Sequence, residues 1–285
     1  MPSGPASTPT VVSVTVTYRR TDLLRGTIEA IATQTRPPEH ILVIDNDSMA
    51  RSALEGIDAP GLRIVETGEN SGPAGAYARG FDMALELGAT WIWALDDDDV
   101  PDPDCLALLL AASGEQDGGI FTPLQRKPNG TTNHAPSWNG PLIAADAIRR
   151  FGGPRPEMFF WAEDTEFVHR LTDQGVRNRR IDAAGVLHLN PVTRARGDAR
   201  DWRCYYEVRN TLTYRLRLRR RGWGKRAEAW WIVAGIAGSI VLFEPSKRRS
   251  LRLWWLGVSD YRRNRMGMRL DPATWKRDLS TGGRP

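Results

Sequence analysis

The sequence predicts an α/β fold with a mostly parallel sheet, followed by a basic, helical extension. Three observations predict it. Between Val11 and Leu95, short apolar or β-branched runs alternate with segments of helical character. Two of those runs stop abruptly in acids, at Asp45-Asn46-Asp47 and at Asp96-Asp97-Asp98-Asp99, and the ligand crevice of an α/β sheet lies just past such strand ends. Charge also divides the chain. Residues 1–193 carry 16 basic and 26 acidic side chains, a net −10, whereas residues 194–285 carry 23 and 8, a net +15. The two parts therefore have different surroundings or partners. The basic residues are 35 Arg against 4 Lys, and the planar guanidinium fork suits phosphates and anionic surfaces.

Each element follows from its own stretch. The run Val11-Val-Ser-Val-Thr-Val-Thr17 reads as a strand covered on both faces. Thr21 offers an N-cap for a helix to about Thr33. Pro37-Pro38 breaks the chain before a second strand, Ile41–Ile44, and Leu62–Val65 makes a third. The turn Asn70-Ser-Gly72-Pro-Ala-Gly75 leads into a helix from about Ala76 to Leu87, which Gly88 stops. Trp91–Leu95 is the fourth strand. The Gly-, Asn- and Pro-rich segment from Thr122 to Pro141 reads mostly as loop, with a helix from Ala144 to Phe151 beyond it. A long helix is expected from Tyr205 to near Arg221-Gly222. The first ten residues read as a disordered tail without a basic or apolar leader. Cys105 and Cys204 have neither a disulfide framework nor metal-ligand spacing, which suits a reducing compartment.

The acidic stretches carry the chemistry. Four consecutive carboxylates repel one another and raise each other's pKa. Such a cluster is either a solvated loop or the seat of a cation, and hard divalent ions take oxygen ligands and substrate phosphates. The glycines at 72 and 75 open a helix whose N-terminus is able to face a phosphate. No G-x-G-x-x-G follows the first strand and no G-x-x-x-x-G-K-[ST] occurs, which disfavours a nicotinamide enzyme or a P-loop ATPase. Further on, Phe159-Phe-Trp161-Ala-Glu163-Asp164-Thr-Glu166 places three acids at a helix start, where the dipole favours them. The apolar residues upstream desolvate at least one of them, and a carboxylate with a raised pKa is a candidate general base.

Taken together, Val12 to Arg20, Gln34 to Asn46, the Asn70–Gly75 turn and Leu95-Asp-Asp-Asp98 resemble family 2 of the inverting, GT-A-fold glycosyltransferases, closest to its rhamnosyl- and galactofuranosyltransferase branches. The resemblance implies a GT-A catalytic domain over residues 11–195, a Rossmann-like mixed sheet, and a helical extension over 196–285 on the acceptor and membrane side. It implies that Thr17, Arg19, Asp45, Asn70, Gly72, Arg79, Asp96 and Asp97 serve the nucleotide-sugar, and that Asp96 and Asp98, joined by His188, hold Mn²⁺ or Mg²⁺. The fourth aspartate, Asp99, exceeds the family's usual run of three and has no assigned role. Asp164 would be the base, with Trp138, Trp161, Glu163, Glu166 and Arg209 on the acceptor side. Plain structural readings stand beside these: Asp45 capping a turn, Arg79 solvated on its helix, Trp138 in the core, and His188 structural on its strand.

The extension contains Ala229–Phe243, 15 residues without a charge, short of the roughly 20 that span a bilayer. Tryptophans and Arg/Lys clusters flank it, as in an element lying in a membrane interface; a helix buried against the catalytic domain is the other reading. No nucleic-acid motif accompanies the charge. The expectation is a peripheral enzyme at the cytoplasmic face of the plasma membrane. It would move a galactofuranose- or rhamnose-type sugar from a UDP- or dTDP-linked donor to a glycan or polyprenyl-diphosphate-linked acceptor. A nucleotidyltransferase and a non-catalytic sugar-nucleotide or membrane-binding scaffold are the alternatives.

Overall fold

The structure, a computed structural model, describes residues 9–114, 118–189, 201–219 and 222–280. Most of the expected tail, the expected boundary at 195–196, and Arg220-Arg221 lie outside the described residues. In chain order the elements are β1 (Val11–Thr17), α1 (Thr21–Ala32), β2 (His40–Asp45), α2 (Ala50–Ala53), β3 (Leu62–Glu66), α3 (Gly72–Glu86), β4 (Trp91–Asp96), β5 (Asp99–Pro101), α4 (Cys105–Ser113), β6 (Gly119–Arg126), β7 (Thr132–Asn133), β8 (Leu142–Ala144), α5 (Ala145–Phe151), α6 (Glu163–Asp173), β9 (Arg177–His188), α7 (Arg203–Leu212), α8 (Trp223–Phe243), α9 (Lys247–Arg263) and α10 (Trp275–Ser280).

The chain divides into two compact units. The first comprises Met1–Asn70, Ala76–Pro154 and Phe167–Pro191, and the second comprises Ser71–Gly75, Arg155–Glu166 and Val192–Pro285.

The first unit is built on one mixed sheet of order β3-β2-β1-β4-β8-β6-β9-β5, with β7 alongside β6. Strands β3, β2, β1 and β4 are parallel, whereas β8 runs antiparallel to β4 and β6. The period-2 pattern of the strands sorts their side chains to two faces. Val12, Val14, Leu42, Ile44, Ile92 and Ala94 meet α3, α5 and α6 on one face. Val11, Ile41, Val43, Trp93 and Leu95 meet α1 and α4 on the other. With cover on both sides, every residue of β1 is buried, and the run of apolar and β-branched residues is the consequence. Helix α3 lies so close to the sheet that a Cβ at Gly80 would collide with Val14 and press on Ile44.

Several boundaries differ from expectation. Arg20, not Thr21, occupies the N-cap position of α1, without a side-chain cap; its guanidinium is drawn instead to Asp97. Helix α3 begins at Gly72, because Pro73 is tolerated in a first turn that has no use for its missing N–H. The segment expected as loop from Thr122 carries β6 on to Arg126, pairing with β7. The β6–β9 ladder shifts register between Pro123 and Leu124, an irregularity where a proline can sit in a sheet.

In the second unit, α7 ends at Leu212 and continues as a wider π-helical stretch, Thr213–Leu218, so the regular helix is shorter than expected. Helix α8 is longer than its charge-free stretch, with 21 residues from Trp223; by length and composition alone it suffices to cross a membrane. Its Ala229, Val233, Ile236 and Ile240 form a buried stripe at helical spacing that joins Tyr205, Tyr206, Val208 and Leu212 of α7 and Leu253 and Val258 of α9 in one core. A Cβ at Gly257 would strike the Tyr205 carbonyl and Val208, so α7 and α9 cross in near backbone contact.

Gly80→Val should force α3 off the sheet and destabilise the protein by about 1–3 kcal/mol, read as a lower urea midpoint at unchanged slope.

Candidate active site

Strand β4 delivers the aspartates to the carboxyl end of the sheet, and the chain turns immediately. Asp97 and Asp98 form the turn, and Asp99 starts β5. Strand β5 pairs antiparallel with β9, with Asp99 directly opposite His188. This register brings together two residues 89 positions apart: His188 Nδ1 lies 3.0 Å from Asp99 Oδ1. Ligand atoms of Asp96, Asp99 and His188 all lie within 4.8 Å of one another.

The surroundings hold this group in place. Asn139 Nδ2 lies 2.8 Å from Asp99 Oδ1 and 3.2 Å from Asp96 Oδ2. The buried Tyr77 hydroxyl donates to Asp96 Oδ1 at 2.9 Å, and the Asp96 N–H donates to Asp99 Oδ2 at 2.8 Å. Asp97 accepts from Thr17 Oγ1 at 2.9 Å and from Arg20 Nη1 at 3.0 Å. Asp98 is fully buried. It pairs with Arg20 at 3.0 Å and faces His188 at 3.4 Å, but neither contact has hydrogen-bond geometry, and among the described residues its carboxylate oxygens accept no hydrogen bond.

Burial dominates the electrostatics. It pushes the Asp96 carboxyl well above the ordinary range, and the Asp99 and Asp98 charges push the same way. Burial raises Asp99 too, against the pull of His188. Asp97 is raised by burial to about 6 in spite of Arg20. Burial alone would lower His188, but the Asp99 hydrogen bond and the neighbouring carboxylates outweigh it and lift the ring to about 9. Arg20 and one imidazolium face four carboxyl groups. A divalent cation fits this donor set: two carboxylates and an imidazole converge, and the adjacent Asp98 oxygens are buried without hydrogen bonds.

Compared with expectation, the fold groups Asp99 with Asp96 and His188, whereas Asp98 was expected as the second ligand and Asp99 had no role. Arg20, not the exposed Arg19, reaches the aspartates. Thr17 reaches Asp97. Asp45 is fully buried and accepts the N–H groups of Asp47 and Ala50, capping the turn before α2. Asn70 is half-buried, and Arg79 is exposed on α3. Trp138 is buried, its ring 4.4 Å from Tyr77 and 5.4 Å from Phe167, the core position that the sequence also allowed. Sequence reasoning missed Arg20, Asn139 and Tyr77. Asn139 sits in the segment expected as loop, and only the pairing of β8 with β4 brings that segment back beside the aspartates.

The remaining expected residues lie in the second unit. Gly72 has φ +67°, and a side chain there would strike the Phe159 carbonyl. Asp164 is half-buried in the first turn of α6. Burial raises its carboxyl to about 6, against the lowering effect of the Thr165 N–H and hydroxyl. Glu163 and Glu166 are buried beside it, and Glu166 pairs with Arg155 at 3.0 Å. Trp161 is exposed. Arg209 is fully buried and donates to the Met158 and Gly267 carbonyls at 2.9 and 2.7 Å.

Residues 13–167 match Glycosyl transferase family 2, and the chain belongs to that family. The chain is 29% identical over 216 residues to galactofuranosyltransferase GlfT1 of Mycolicibacterium smegmatis, covering 64% of this chain and 71% of that protein. It is 25% identical over 298 residues to the N-acetylglucosaminyl-diphospho-decaprenol L-rhamnosyltransferase of Mycobacterium tuberculosis, covering 84% and 94%. Among solved structures, the mannosyltransferase PcManGT from Pyrobaculum calidifontis, in complex with GDP-Man and Mn²⁺, is similar with a TM-score of 0.60 at 14% identity, covering 90% of this chain and 88% of that one. S. aureus TarS in complex with UDP is similar with a TM-score of 0.60 at 13% identity, covering 88% and 81%. The mixed sheet is thus the GT-A fold, and the chain is a glycosyltransferase with galactofuranosyl- and rhamnosyltransferase relatives, as its motifs implied.

Mn²⁺ should raise the melting midpoint and EDTA should reverse the rise. Asp99→Asn should lose most of that stabilisation. Because ligation needs the neutral imidazole, binding expels the His188 proton, so affinity should tighten from pH 6 to pH 8; calorimetric titration with Mn²⁺ checks both points.

Proposed function

We propose that this protein is an inverting, metal-dependent glycosyltransferase. The donor is a nucleoside-diphosphate sugar of galactofuranose or rhamnose type, linked to UDP or dTDP, and the acceptor is a glycan carried on a polyprenyl diphosphate. The observation that carries the proposal is the Asp96–Asp99–His188 group at the carboxyl end of β4, in a chain of family 2. Relatives support the choice of substrates: one is a galactofuranosyltransferase and another acts on N-acetylglucosaminyl-diphospho-decaprenol.

In this reading Asp96, Asp99 and His188 hold Mn²⁺ or Mg²⁺, with Asn139 and Tyr77 orienting the carboxylates. When bound, the ion supplies positive charge for the departing nucleoside diphosphate. Thr17 and Arg20 fix Asp97, which faces the donor. Asp164 takes the proton of the acceptor hydroxyl as that oxygen attacks the anomeric carbon. The bond from that carbon to the diphosphate breaks in the same displacement, and configuration inverts. A carboxyl raised to about 6 is still ionised at neutral pH, yet basic enough to accept a proton in the transition state.

The second unit supplies the membrane side of the proposal. Trp231 is 77% exposed, Leu242 69% and Trp255 59%, away from the buried stripe of α8. Arg248, Arg252 and Arg262 are exposed on α9 at spacings that share a face with Trp255. Exposed aromatics among cations suit the surface of an anionic bilayer. One stripe of α8 is already used in the core of its unit, so we place the helix along the membrane surface.

Asp164→Asn should abolish transfer while leaving donor binding intact; full turnover by that variant would sink the assignment. For the wild type, log kcat/KM should fall below about pH 6 as Asp164 becomes protonated, and this acid limb should be measured in a screen of sugar nucleotides with Mn²⁺ present. Separately, Trp231→Ser/Leu242→Ser should weaken co-sedimentation with vesicles containing phosphatidylglycerol, whereas turnover of a soluble acceptor analogue should be unchanged.

A further inference from the structure

The turn that carries the chain into α6 is strained. Phe159, Trp161 and Ala162 have φ of 61°, 75° and 64°, a region that side chains other than glycine rarely adopt. Three such residues among four need an outside restraint, and α7 supplies it. Asn210 is fully buried. Its Nδ2 lies 2.8 Å from the Met158 carbonyl, 2.7 Å from that of Phe160 and 3.1 Å from that of Trp161. The amide is held in that orientation by Arg209, whose Nε donates to Asn210 Oδ1 at 2.8 Å. Arg209 also donates to the Met158 carbonyl, to Gly267 and to the Tyr205 hydroxyl, and its guanidinium lies 4.9 Å from the centre of the Tyr206 ring. Helix α7 is in turn pinned by its close crossing with α9 at Gly257.

The turn feeds the catalytic helix directly. The Glu166 N–H donates to the Ala162 carbonyl at 2.8 Å, so the last left-handed residue provides the first acceptor of α6. Asp164 lies two residues further on. A buried network of this kind does more than fill space, since an apolar side chain would fill the same volume without donating to four carbonyls.

We propose that Asn210, oriented by Arg209, is a positioning residue that holds the 158–162 turn in its left-handed form and thereby aims the Asp164 carboxylate. The inference rests on Asp164 being the base. Loss of the clamp misplaces the base, whereas the Asp96–Asp99–His188 group and Arg20 keep their contacts within the first unit.

The test uses the full chain with Mn²⁺, a sugar-nucleotide donor and a soluble acceptor analogue. Asn210→Ala should lower kcat on the order of 10²-fold, the scale of a misplaced catalytic group, with the donor KM within about twofold. Should Asn210→Ala not melt cooperatively, Ala162→Pro serves instead: proline's φ near −65° breaks the turn without touching α7, and the same split between kcat and KM is expected. Wild-type kcat, or a donor KM that rises in step with the loss, would overturn the proposal. An active Asp164→Asn variant would instead remove the base assignment, so the two failures are distinguishable.

Discussion

The constraint on which the first unit depends is the desolvation of four adjacent carboxyl groups at the end of β4. In water such a run would be unremarkable. Here Asp97, Asp98 and Asp99 are buried, and each ionised group raises the cost of the next. Arg20 comes from the loop before α1, His188 from the end of β9, Asn139 from the approach to β8, and Tyr77 from α3. Four elements distant in sequence converge on one strand end because that end is otherwise too costly. Part of the charge stays uncompensated, which suits the binding of a divalent cation.

The second unit solves a different problem by similar means. Its strain lies in the backbone, and buried side-chain donors from one turn of α7 restrain it. In the first unit, carboxylates gather donors; in the second, one amide and one guanidinium gather carbonyls. Both arrangements place a desolvated acid at the end of a regular element, and in both the element's own residues are insufficient to hold it.

Much of this was legible in the sequence. The run from Val11 to Thr17 needed only its β-branched residues to be recognised as a fully covered strand, and the acidic end of β4 marked where buried polar side chains gather. The acids at 163–166 identified themselves by following apolar residues at a helix start. What the sequence hid was register and direction. Whether Arg19 or Arg20 faces the aspartates depends on backbone conformation, since Arg19 has φ +57° and its neighbour turns inward. Whether Asp98 or Asp99 joins His188 depends on the pairing of β5 with β9, a contact spanning nearly a third of the chain. Arg209, expected at the acceptor, proved to be bonded to backbone, because nothing local to Tyr205–Asn210 shows which loop lies against it. The segment after Thr122 looked irregular from its composition, yet it supplies both a strand and Asn139.

The register shift in β9 has a consequence for how this protein tolerates change. Gly119–Pro123 of β6 pair with Arg177–Ile181, but Leu124–Arg126 pair with Gly185–Leu187, so residues 182–184 form an excursion that one strand has and its neighbour lacks. His188 stands opposite Asp99 only because that excursion has its present length. A one-residue insertion or deletion between Ile181 and Leu187 would present a leucine to the aspartates unless the excursion absorbed it. Along this edge the reading frame of the sheet matters more than the identity of the residues within it, and the excursion is where that frame is set.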